Sequence, residues 1–75
     1  MKKSDFKREN IGKSVLIHSF GEHAQIEKFT ITKYQYIVTI VFFNPVSWHG
    51  QEFKEMDFYL DVYNNIDQIK QIAIL

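Results

Sequence analysis

Imidazoles, carboxylates and hydroxyls are the side chains of this sequence that could do chemistry. His18, His23 and His49 are its only histidines. A zinc site needs three or four N, O or S ligands that converge. His18 and His23 lie on either side of a turn at Gly21, and Glu22 or Glu52 could add a carboxylate, but no metal-binding motif joins them. Glu55, Asp57 and Asp61 share one parity of a strand-like segment. Carboxylates in such a row can share a proton or a divalent cation. More often a row of this kind is the solvated face of an edge strand and discourages edge-to-edge association. Ser14, Ser19 and Ser47 belong to no nucleophile motif, and the sequence has neither a cysteine nor a glycine-rich phosphate loop. The expectation is a protein without catalytic residues, bound metal or cofactor, so binding is the activity to look for.

The aromatic side chains offer a binding surface. Trp48-His49 stands in the stretch Asn44-Pro45-Val46-Ser47-Trp48-His49-Gly50, which holds the only Trp and the only Pro. Pro45 fixes its own φ and Gly50 permits a positive one, so this stretch reads as a well-formed loop. Trp is a typical interface anchor, because it gives a large apolar contact with few rotors to freeze. In so small a domain it could equally fold back and plug one end. The expected contact set is Phe43 at the end of the preceding strand, Val46, Trp48 and His49 from the loop, and Glu55, Asp57, Tyr59 and Asp61 from the acidic face of the strand that follows. The partner would be another protein, apolar at the centre of its contact and basic at the rim. By size and neutrality the chain reads as an accessory or inhibitor protein of the kind that phages and mobile elements encode. The alternative is a nucleotide or single-stranded nucleic-acid binder that uses Tyr34 and Tyr36 with Lys28, Lys33, Lys7 and Arg8. Such proteins combine stacking aromatics with a basic groove. A homodimer is a third expectation, because net neutrality and segregated charge favour self-association.

The totals bound these readings. Seventy-five residues make one domain with a modest core. Without cysteine no disulfide or thiolate zinc site supplements that core, while seven Phe, four Tyr and one Trp enlarge it. The nine basic and nine acidic residues cancel, which argues against a dedicated DNA coat protein. The charge is nevertheless segregated. Residues 1–13 carry Lys2, Lys3, Lys7, Arg8 and Lys13 against Asp5 and Glu9, a balance of +3. Residues 51–67 carry Glu52, Glu55, Asp57, Asp61 and Asp67 against Lys54, a balance of −4. Lys2-Lys3 is followed by polar residues rather than an apolar signal region, and no apolar run approaches the roughly 20 residues a spanning helix needs. A cytoplasmic protein without membrane contact is expected.

The elements that position these residues are strands. Ser4 is a candidate cap for a helical turn through Asn10, ended by Gly12; the basic residues of this arm are equally compatible with fraying. From Lys13 the period is two. Ser14–Phe20 reads as a strand with Val15 and Ile17 on one face. In the next strand, over residues 23–32, the apolar parity switches between Ile26 and Phe29, which requires a bulge or bend near Glu27-Lys28. Thr32-Lys33-Tyr34-Gln35 is the next reversal, although it lacks an Asn-Gly or Gly-Gly signal. Residues 35–43 are apolar on both parities and predict a covered, central strand. A strand over about 52–63 follows, with Met56, Phe58, Leu60 and Val62 opposed to Glu55, Asp57, Tyr59, Asp61 and Tyr63. Asn64-Asn65 breaks it. The spacing of Ile66, Ile69 and Ile72 predicts a helical turn before a short closing strand.

This order resembles the SH3-like small β-barrel superfamily, which includes SH3, Tudor and KOW-type modules. The resemblance covers residues 12–75: four meandering strands, a bend in the second, a tight turn at Asn64-Asn65-Ile66-Asp67 and a fifth strand within Ile69–Leu75. It is a likeness of layout. The acidic-aromatic first-loop motif of signalling SH3 domains and the Gly-rich KOW signature are both missing. A Tudor-like cage would have to come from Tyr34, Tyr59, Tyr63 and Trp48. The resemblance implies a mainly β, five-stranded antiparallel barrel and a ligand-binding module, and it assigns no functional residue.

Overall fold

The computed structural model describes residues 1–75. It is mainly β. The strands are β1 (Ser14–Ile17), β2 (Glu22–Ile31), β3 (Gln35–Trp48), β4 (Gln51–Asp61) and β5 (Ile72–Ile74), all antiparallel in one sheet of order β4-β3-β2-β1-β5. β4 and β5 are the two edges, so the sheet stays open and the expected barrel closure is not seen.

Period-two patterning places the core. Val15 and Ile17 of β1, Ala24 and Ile26 of β2, and Val38, Ile40 and Phe42 of β3 are buried together with Leu60 and Ile72. The parity switch in β2 is a real bulge. Ile26 pairs with Ile40 and Lys28 with Thr39, leaving Glu27 as the extra residue and returning Phe29 to the core side opposite Val38. The turn after β2 works without glycine. The Thr32 hydroxyl accepts from the amides of Tyr34 and Gln35, at 3.3 and 3.0 Å, and so supplies the acceptor that fixes the reversal.

Both ends of the chain depart from expectation. The N-terminal arm is neither one capped helical turn nor frayed. It forms two 3-10 turns, Lys3–Asp5 and Arg8–Asn10, and Lys2 rather than Ser4 holds the first cap position. Phe6 anchors the arm in the core, its ring 5.2 Å from Phe29 and 5.4 Å from Tyr36. The helical turn expected before β5 is also missing. Residues 66–71 carry an isolated antiparallel bridge instead, Lys2 to Gln68, with the Lys3 amide donating to the Asp67 carbonyl and the Ile69 amide to the Met1 carbonyl. A helix would put Ile66, Ile69 and Ile72 on one face. Pairing with the arm buries Ile69, pairing of β5 with β1 buries Ile72, and Ile66 is left exposed. The turn at the end of β4 falls earlier than Asn64–Asp67. It occupies residues 62–65, with Asn65 at φ 59°. The Asp61 carboxylate accepts from the Asn64 amide and side chain.

Candidate functional site

The β3–β4 hairpin positions the expected contact residues. β3 does not end at Phe43. It continues to Trp48 after an irregularity: Val41 pairs with Glu55 and Val46 with Phe53, so residues 42–45 face Lys54 alone. Pro45 has no N–H to donate and is accommodated in this bulge. Beyond it Trp48 pairs with Gln51, and His49 and Gly50 form a two-residue turn with φ of 52° and 74°. Two positive φ angles mark the primed turn whose twist matches a hairpin. The stretch read as a seven-residue loop is therefore strand plus tight turn.

This geometry sorts the expected contacts. Val46 is only 6% exposed and belongs to the core, so its place in a partner contact is corrected. Its parity returns it inward once the bulge is passed. Phe43 is exposed at 56%, while its neighbour Phe42 is buried edge-on against Phe20 at 5.6 Å. Trp48 is half in contact with its neighbours, at 51% exposed. Its ring lies 4.6 Å from His49 and 6.1 Å from Phe53. It neither plugs the fold nor stands free. It forms one wall of a cleft of about 460 Å³, with Phe20, Met56 and Phe58 as the other apolar walls.

The acidic residues lie elsewhere. Met56 and Phe58 pack toward the core, so Glu55, Asp57 and Tyr59, on the opposite parity, face the other side of β4. Trp48, with Met56 and Phe58, therefore lies on one face of the β3–β4 hairpin, and Glu55, Asp57 and Tyr59 lie on the other. Two of the carboxylates also have structural partners: Asp57 accepts from the Thr39 hydroxyl at 2.6 Å, and Asp61 holds the Asn64 turn. No group of three or more His, Asp or Glu side chains is placed to hold a metal ion.

The residues of the nucleic-acid reading are dispersed. Tyr34 meets Tyr63 edge-on at 5.5 Å, and the Lys33 ammonium lies 5.6 Å from the Tyr34 ring centre. Asp61 lines the same hollow. Tyr36 is half-buried against Phe6, with Lys3 rather than Lys28 near its ring, at 5.5 Å. Lys28 stands opposite Thr39 on the acidic face, and Lys7 holds the N-cap position of the second 3-10 turn, which Arg8 opens.

Phe20, Met56 and Phe58 complete the cleft beside Trp48, although the sequence assigns them to no site; Tyr63, a candidate cage residue, meets Tyr34 instead. Met56 and Phe58 carried a signal, because their parity opposes the acids. Phe20 carried none, since its role depends on the β1–β2 turn bringing it beside β4.

At the start of the chain the Met1 α-amino group donates to the carbonyls of Ile69 and Ile72. Burial pulls it below its ordinary value of 8.0; Asp5 opposes that shift and Lys2 adds to it. No helix is long and apolar enough to cross a membrane. No family model matches the chain, and neither a curated protein nor a solved structure matches it.

Proposed function

We propose that the protein is a non-enzymatic interaction module that binds another protein through the end of the β3–β4 hairpin and along β4. The half-exposed Trp48, set over an apolar cleft rather than sealed into the core, is the observation that carries this reading. Burying Trp48, Phe20, Met56 and Phe58 against a partner would remove apolar surface from water, the dominant favourable term in association. The strand order supports regarding the fold as an SH3-like barrel left open between β4 and β5.

Panning a random peptide library against the immobilised protein and its Trp48→Ala variant tests the reading. Peptides should be enriched on the wild type and lost on the variant, whose melting stays within a few degrees of wild type. Truncating a central Trp anchor should weaken binding by on the order of 2 kcal/mol. No enrichment, or enrichment indifferent to Trp48, would sink the proposal.

A second reading, single-stranded nucleic-acid binding, draws on the exposed Tyr34–Tyr63 pair with Lys33 beside it. Aromatic rings near a cation suit base stacking, but Asp61 in the same hollow opposes a phosphate. A labelled oligonucleotide that shows no retardation at low salt removes this reading.

A further inference from the structure

We infer that the free edge of β4 accepts an extended, basic segment of a partner protein as a sixth strand; this deepens the interaction-module reading and rests on it. β4 runs from Gln51 to Asp61 and pairs with β3 alone, so the backbone groups along its other side have no strand partner. A row of unpaired amides and carbonyls is a template for strand addition. β5 is the other free edge, but it is three residues long and gives little to pair with.

The two faces of β4 state what that sixth strand should carry. Successive side chains of an added strand point to opposite faces of the sheet. One set would fall on the side of Met56, Phe58 and Trp48, which is apolar. The other set would stand beside Glu55, Asp57 and Tyr59. An alternation of apolar and basic residues satisfies both. This also accounts for the division of the aromatic and acidic residues between two faces, because one extended segment reads both at once.

Charge chooses between a partner and a second copy. β4 contains Glu52, Glu55, Asp57 and Asp61 against the single Lys54. Two such strands side by side would bring like charges into register, which is destabilising, whereas opposite charges across a strand pair are favourable.

The test uses a short end-blocked peptide of alternating lysine and valine, a peptide of the same composition with the residues in blocks, and a glutamate–valine alternation. Titration is followed by Trp48 fluorescence and by amide exchange along β4. The lysine–valine alternation should shift the Trp48 emission and slow exchange at every second amide between Gln51 and Asp61. The block and glutamate peptides should bind several-fold more weakly, and Glu55→Lys, which cuts the excess negative charge of β4 from three to one, should narrow the preference for the lysine over the glutamate peptide. Equal binding of the block peptide overturns strand addition in favour of plain charge attraction. Concentration-dependent protection of β4 in the free protein overturns it in favour of a second copy. Library peptides that need Trp48 but leave β4 exchange unchanged overturn this inference and spare the interaction-module reading. Failure of both peptide sets at Trp48 removes both.

Discussion

The hydroxyl of Thr39 donates to the carboxylate of Asp57 at 2.6 Å, across the pairing of β3 with β4. The two ends of this bond differ in environment. Thr39 is buried, whereas Asp57 is exposed. Removing Asp57 strands a buried hydroxyl; removing the hydroxyl only returns Asp57 to water. Asp57→Ala should therefore cost about 1–3 kcal/mol, and Thr39→Val no more than about 1 kcal/mol. In the double variant the loss should be clearly less than the sum. Urea unfolding of the four proteins provides the cycle; strict additivity would mean that the bond contributes nothing.

Phe6 decides whether the N-terminal arm is structural. It is buried and contacts both Phe29 and Tyr36. Phe6→Ala should destabilise the protein by about 3 kcal/mol, a large part of the stability of so small a domain. A midpoint in urea close to wild type would show that the arm is dispensable.

The α-amino group of Met1 makes stability depend on pH. Burial holds its value below 8.0, with Asp5 opposing and Lys2 adding to the shift. A base whose value is lowered on folding favours the folded state when neutral. Its contribution is full above 8.0 and is lost as pH falls through the lowered folded value. Thermal melts of protein with a free Met1 amine should rise in midpoint as pH is raised toward 8.0 and level off above it. An N-terminally acetylated sample should lose this slope; the same slope in both would assign it to other groups.

The turn of the β3–β4 hairpin offers a change in the favourable direction. His49 adopts a φ of 52°, and Gly50 follows at 74°. Asn-Gly is the preferred pair for such a turn. His49→Asn should raise stability by about 0.5 kcal/mol, whereas Gly50→Ala should lower it by about 1 kcal/mol. Neither change touches the cleft walls other than the neighbour of Trp48. A binding loss in His49→Asn with raised stability would assign the imidazole a direct contact.

Much of this fold is legible in the sequence because a half-buried sheet leaves a period of two. The presence of the strands, the bulge at Glu27 and the inward row of β4 follow from that period, although the first strand ends at Ile17 rather than Phe20 because residues 18–21 form the turn into β2. The course of residues 44–48 does not. Asn44-Pro45 is a loop signal on local grounds, and only the pairing of Val46 with Phe53 shows that the strand resumes. The tail misleads for a related reason. Ile66, Ile69 and Ile72 have helical spacing, but the arm competes for Asp67 and Ile69 through backbone hydrogen bonds that no local pattern records. The candidate surface is half legible: Trp48 and the acids are evident, but their division between two faces depends on the register.

The clasp of Met1 on Ile69 and Ile72 joins groups 68 and 71 positions apart along the chain. Closing a loop of that length costs the most chain entropy of any contact in the molecule, so its closure belongs to the last stage of folding. The β2–β3–β4 meander assembles from near neighbours and can form first. Docking of the arm then seals β5 and Phe6 onto a sheet already made. The kinetic order this implies is an internal hairpin nucleus with both chain ends arriving late.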